Sequence, residues 1–171
     1  GKVYAVGGMS SGYPVVEVRR YNSVDQVWES LGQPIYGSES TSLMAMSLSW
    51  DGTMVLTMYG FDDPPVIVQV WTYQSHKNVW VKYGKAVNLF ANPTYYSNKR
   101  HVALLANGTI FAAKTGKELD DVVLYGYNDT NNEWTQVKII GDAGYLLSWS
   151  DDGSILASRQ DGSVNVYHLD Y

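Results

Sequence analysis

The sequence predicts an all-β protein, a β-propeller-type array of about four blade repeats, each an antiparallel four-stranded unit, with the terminal ones incomplete. Three observations carry this. A unit reading glycine, short apolar run, polar loop, second apolar run ending in Tyr, polar turn and Trp starts at Gly1, Gly52 and Gly108, and recurs without the Trp from Gly153. The Tyr-to-Trp spacing is seven in all three full copies: Tyr21 to Trp28, Tyr73 to Trp80, Tyr127 to Trp134. No segment carries a helical apolar period, whereas Val66, Val68 and Val70 alternate with Ile67, Gln69 and Trp71 as a strand requires. Starts at residues 1, 52, 108 and 153 give the period of propeller blades.

We name the strands of each unit A to D. Strand A precedes the turn glycine, at 43–49, 101–105 and 145–150. Strand B follows it, at 3–6, 54–58, 110–113 and 155–158. Strand C is the β-branched run at 15–21, 66–73, 122–127 and 164–169, and strand D surrounds the repeat Trp at 27–31, 79–83 and 133–139. Asp51-Gly52, Asn107-Gly108 and Asp152-Gly153 join A to B, and such pairs tolerate the positive φ of a tight hairpin. Asp161-Gly162 closes the last B–C hairpin in the same way. The repeats run about 1–42, 43–100, 101–144 and 145–171, within a single propeller-type domain or a slice of a larger one. The first lacks strand A and the last lacks strand D. A slice of a longer propeller, a small four-bladed ring, or a partial ring completed by a second chain would each satisfy that count. The strand edges of an open ring favour the slice.

Composition narrows the function classes. The chain has 171 residues, 45% hydrophobic and 13% aromatic, enough for a core of its own. A formal net charge of −5 argues against nucleic acid, which needs clustered Lys and Arg; Lys99-Arg100 is too small a cluster to reverse this. The absence of cysteine removes disulfides, thiolate metal sites and a cysteine nucleophile. No apolar run is long enough to span a bilayer. The sequons Asn107-Gly108-Thr109 and Asn128-Asp129-Thr130, with the lack of Cys, favour an extracellular location.

The first unit, with Gly7-Gly8, Tyr21 and Trp28, resembles a kelch repeat. Ser47-Leu48-Ser49-Trp50-Asp51-Gly52-Thr53, Ser148-Trp149-Ser150-Asp151-Asp152-Gly153 and the run from Gly162 to Tyr167 are similar to WD-type blades. The resemblance is to an architecture that carries many functions. It implies that the repeated Tyr and Trp residues pack between blades, where a large aromatic buries about 150–250 Å².

Chemistry finds little support. His76, His101 and His168 fall at three different points of the repeat and share no spacing with carboxylates, and no nucleophile elbow is present. The carboxylates near Asp62-Asp63 and Glu118–Asp121 do not alternate as a calcium loop requires. No catalytic residue, metal ligand or cofactor is predicted. The B–C and D–A connections emerge at one end of the sheets and include 9–14, 32–42, 61–65, 84–100 and 114–120. They carry aromatics the repeat does not demand, and loops on a rigid scaffold collect recognition residues. The candidate binding residues are Tyr13, Tyr36, Phe61, Asp62, Asp63, Phe90, Tyr95, Tyr96 and Arg100. Alternatively, Phe90 and Tyr95 simply cap the core beneath their loop.

The leading expectation is a non-enzymatic interaction module that binds a protein partner, or sits in a larger assembly or oligomer, through this end. A carbohydrate-binding propeller is the alternative, with Trp50-Asp51 and Trp149…Asp151 the nearest approach to a glycan site. A fragment of an enzyme with its catalytic residues elsewhere is the third. The strand at 164–169 would be a bare apolar edge, so the isolated chain is expected to aggregate readily.

Overall fold

The computed structural model describes residues 2–38, 41–60, 66–89, 101–114, 121–160 and 162–169. Among these residues fifteen strands form four antiparallel sheets that follow one another in chain order. Blade 1 is β1 (Val3–Ser10), β2 (Tyr13–Asn22) and β3 (Val27–Ser30), with β4 (Ile35–Tyr36) continuing the third position along β2. Blade 2 is β5 (Ser42–Leu48), β6 (Met54–Gly60), β7 (Val66–Gln74) and β8 (Val79–Leu89). Blade 3 is β9 (Val102–Leu104), β10 (Ile110–Lys114), β11 (Val122–Asn128) and β12 (Glu133–Ile140). Blade 4 is β13 (Tyr145–Trp149), β14 (Ile155–Gln160) and β15 (Ser163–His168). The all-β class and the sheets arranged as blades of a partial propeller agree with the sequence pattern.

Blades stack because both faces of their inner strands are apolar. On β6, Val55 joins Val16, Val18, Leu31 and Ile35 of blade 1 in one buried cluster. Its neighbours Leu56 and Met58 join Phe111 and Ala113 of blade 3 in another. On β10, Ala112 turns the opposite way, toward Leu156 and Leu169 of blade 4. Successive side chains of a strand point to opposite faces, so one continuous apolar run feeds two interfaces.

The repeat Trp locks the interfaces between blades 1 and 2 and between blades 2 and 3. Trp80, 3% exposed, donates its indole N–H across the interface to the Leu31 carbonyl at 2.6 Å. Trp134, 7% exposed, does the same to the Tyr83 carbonyl at 3.1 Å. Gly32 and Gly84, next after those carbonyls, lie against the arriving indoles. Each Trp also stands opposite its repeat Tyr, with ring centroids 5.3 Å apart for Tyr73–Trp80 and 5.2 Å for Tyr127–Trp134.

Several connections differ from their sequence reading. The 9–14 segment is no long loop. β1 and β2 run on to a two-residue turn at Ser11-Gly12, both with positive φ (50° and 84°), the hairpin geometry that matches strand twist. Residues 35–36 and 42 of the 32–42 connection and residues 84–89 of the 84–100 connection are also strand. β4 pairs with β2, and β8 runs to Leu89 through a bulge at which Val68 faces Val87 while Val70 faces Tyr83. Gln69, buried in that gap, donates to the Gly84 carbonyl at 3.2 Å. The A–B turns are longer than a two-residue hairpin: Gly52 donates its amide to the Ser49 carbonyl at 3.0 Å and alone takes positive φ (71°).

Candidate functional site

Of the nine sequence-predicted binding residues, Tyr13 and Tyr36 lie among the described residues. Phe61, Asp62, Asp63, Phe90, Tyr95, Tyr96 and Arg100 lie outside them. Tyr36 on β4 stands opposite Val15 on β2, two residues from Tyr13, so the two rings share one sheet face as a diagonal pair. Both are solvent-exposed, Tyr36 to 53%. The Gly37 amide donates to the Pro14 carbonyl at 2.8 Å and fixes the end of β4 on β2. Residue 37 then passes tightly between Pro14 and the Tyr59 ring of blade 2, where even a Cβ would not fit.

That face continues along the whole outward side of blade 1. By register, Val15 lies opposite Gly8, Glu17 opposite Val6, Arg19 opposite Tyr4, and Tyr21 opposite Trp28. Their even-numbered neighbours Val16 and Val18 are the ones buried against blade 2. In blade 2 the equivalent face, bearing Val55, Trp71, Tyr73 and Trp80, is sealed by blade 1. In blade 1 no described residue covers it. Trp28 is 40% exposed, and its ring meets Tyr4 edge-on at 4.6 Å and Tyr21 at 5.2 Å. Val6 is about half exposed, and Arg19 pairs with Glu17 at 3.1 Å in a solvated ion pair. Trp28, read as buried from its spacing, is therefore a surface aromatic among the described residues. Spacing marks a stacking position and says nothing of whether a neighbour occupies it.

The opposite end of the sheets carries a second feature. Strands A of blades 2, 3 and 4 stand side by side. The Leu104 amide donates to Ser47 Oγ at 3.0 Å, and the Trp149 indole donates to the Ala103 carbonyl at 3.1 Å. Between them and their A–B turns is a recess of about 320 Å³. The three turns align as Ser49-Trp50-Asp51-Gly52-Thr53, Leu105-Ala106-Asn107-Gly108-Thr109 and Ser150-Asp151-Asp152-Gly153-Ser154. The third residue does the structural work in each. Asp51 accepts from Ser49 Oγ (2.7 Å), the Thr53 amide (2.9 Å) and Thr53 Oγ1 (2.7 Å). Asn107 accepts from the Thr109 amide at 3.0 Å, and Asp152 from Ser150 Oγ at 2.6 Å and the Ser154 amide at 3.0 Å. Partial burial alone would push the Asp51 carboxyl up. The Thr53 amide and the Ser49 and Thr53 hydroxyls together outweigh it and hold the group below its ordinary value. Asp152 is held low by the Ser150 hydroxyl and the Ser154 amide and hydroxyl. The second residue of each turn (Trp50, Ala106 and Asp151) has no such duty, and all three line the recess. Aligning the turns by their glycines would have exposed this position from sequence alone. Reading Trp50 as a neighbour of Asp51 hid it.

Among the described residues no three of His, Asp and Glu gather as a metal site would require. No helix there is long and apolar enough to cross a membrane. His101 is depressed below its ordinary value by burial and, secondarily, by Lys114.

No protein-family model and no curated protein matches the chain. Solved structures do. KlAtg21, in a complex with the coiled-coil of AgAtg16, is similar at 15% identity and TM-score 0.57, over 95% of this chain and 51% of that one. Hsv2p of Kluyveromyces lactis is similar at 14% and 0.56, over 98% and 49%. Hydrazine synthase of Kuenenia stuttgartiensis is similar at 10% and 0.60, over 98% and 55%. The chain thus spans about half the length of these structures. At such identities the likeness shows the fold alone, a propeller-type array.

Proposed function

We propose that this chain is a non-enzymatic interaction module of kelch- or WD-like blades that binds a protein partner, or sits within a larger assembly, through the long-loop end. The observation that carries the reading is the outward face of blade 1, exposed among the described residues. Tyr13 and Tyr36 stand at its long-loop end, and the face runs on through Val6 and Tyr4 to Trp28. Tyr and Trp dominate interface energetics because they bury a large apolar body and keep a polar atom for a hydrogen bond. The solved complex of a similar fold with a coiled coil supports the reading. The predicted loop residues Phe61, Asp62, Asp63, Phe90, Tyr95, Tyr96 and Arg100 would extend the same end. The carbohydrate-binding alternative would draw on Trp50. The three equivalent turn positions, however, hold Trp, Ala and Asp rather than a repeated Trp with an acidic neighbour, so the one-site-per-blade pattern of a lectin is missing from these turns.

A photo-activatable phenylalanine analogue placed at Tyr36 in cells that make the protein tests this. The reading predicts one discrete protein adduct, absent when the analogue is placed at the exposed Val24 of the C–D turn. Adducts of equal yield at both positions, or none at Tyr36, would refute it.

A further inference from the structure

The recess at the opposite end of the sheets is independent of that reading. We infer that it is a binding site for the guanidinium of an arginine-bearing peptide, with Trp50 as stacking platform and Asp151 as carboxylate partner. The first argument is positional. Equivalent residues of three consecutive A–B turns converge on one recess of about 320 Å³ and carry Trp50, Ala106 and Asp151. The turn hydrogen bonds fall to the next residue in each case, so the fold does not require a Trp or a free carboxylate here.

Exposure gives the second argument. Trp50 is 79% exposed, whereas Trp80 and Trp134 are buried and spend their indole N–H groups on the blade locks. Asp151 makes no hydrogen bond or ion pair among the described residues, unlike the adjacent Asp152. The small Ala106 on the middle blade leaves room between the two.

Charge selects the ligand. Among the described residues no Lys or Arg lines the recess, and hydrogen bonds hold the Asp51 and Asp152 carboxyls of the flanking turns below their ordinary value. The chain itself carries a formal net charge of −5. A cation is therefore preferred to a neutral ring. Guanidinium is planar, stacks on an indole face and donates two parallel N–H groups to one carboxylate. A lysine ammonium would meet the charge but neither the plane nor the fork.

The test titrates the chain with acetyl-Gly-Arg-Gly-amide, its lysine and citrulline counterparts, and methyl α-glucoside. The readout is the Trp50 indole N–H resonance, assigned by its loss in Trp50→Phe. Citrulline keeps the shape and removes the charge. The arginine peptide is expected to bind about tenfold or more tightly than the citrulline peptide, with a similar loss in Asp151→Asn. Trp50→Ala, which lacks that resonance and is followed by isothermal titration calorimetry alongside the native chain, should weaken binding by about two- to fivefold, and added salt should weaken it further. Both side chains are surface groups, and unchanged urea midpoints will show that the variants remain folded. Equal binding of arginine and citrulline peptides, indifference to Asp151→Asn, or a response to the glucoside alone would overturn the assignment.

Discussion

If a Trp of one blade locks onto the carbonyl before a glycine of the previous blade, filling that glycine's space should break the lock. Gly84 sits at φ 72°, and a Cβ there would lie 2.8 Å from the Trp134 Nε1 and 3.0 Å from the Tyr127 ring. Left-handed backbone costs an alanine about 1–2 kcal/mol. Displacing the indole forfeits its 3.1 Å hydrogen bond to the Tyr83 carbonyl, a loss of about 1 kcal/mol. Overpacking adds about 1–3 kcal/mol. Gly84→Ala is therefore expected to destabilise by about 3–6 kcal/mol, a large part of a typical domain's stability. The assay is urea unfolding followed by tryptophan fluorescence. Gly8→Ala is the control, because a Cβ there meets nothing within 4 Å; it should shift stability by no more than about 0.5 kcal/mol. A double-mutant cycle isolates the contact: in a Trp134→Leu background, Gly84→Ala should cost about 1–3 kcal/mol less. Equal costs in both backgrounds, or a Gly84→Ala effect no larger than that of Gly8→Ala, would refute the lock.

Other outcomes follow from the same geometry. Trp80→Phe leaves the buried Leu31 carbonyl unpaired and should cost about 1–3 kcal/mol in chemical denaturation, whereas Trp28→Phe on the open face should stay within about 0.5 kcal/mol. Asp51 and Asp152 have folded-state values depressed below the ordinary 3.8, so their stabilisation is present above that pH and is lost as pH falls through the folded value. Asp51→Asn with Asp152→Asn should therefore flatten the stability profile below about pH 4. His101 is depressed below 6.5, so the unfolded chain takes up its proton first and stability falls as pH drops below 6.5; His101→Gln should remove that step from a pH series of urea midpoints. Val164 and Val166 are exposed on β15, an edge strand among the described residues. Val164→Lys with Val166→Lys should reduce self-association in light scattering, since charged edges resist edge-to-edge pairing.

The blade order was legible because its signals are local. The Asp-Gly and Asn-Gly turns, the β-branched C strands and the seven-residue Tyr-to-Trp spacing each report on a few neighbouring residues. What those signals left out is non-local. Nothing within 9–14 distinguishes an irregular loop from two strands closing on Ser11-Gly12, because the difference lies in how far β1 and β2 stay paired. Trp28 has the same local sequence logic as Trp80 and Trp134, and its exposure is set by whether a neighbouring blade stands over it. The Lys138 that follows Val137 in blade 3 carries a subtler signal. Blades 1 and 2 place Gly32 and Gly84 four residues after their Trp, whereas blade 3, followed by a unit without that Trp, places a lysine there. The recess was missed for a different reason, since Trp50, Ala106 and Asp151 become one feature only when three turns are superimposed.

The most direct measurement is the native mass of the protein purified from cells that make it, set against the denatured mass of the same sample. An interaction module working through the open face of blade 1 predicts a native mass above the denatured one, with the excess lost in Tyr13→Ser/Tyr36→Ser at unchanged urea midpoint. A native mass equal to the denatured mass, or an excess that survives both substitutions, would contradict it.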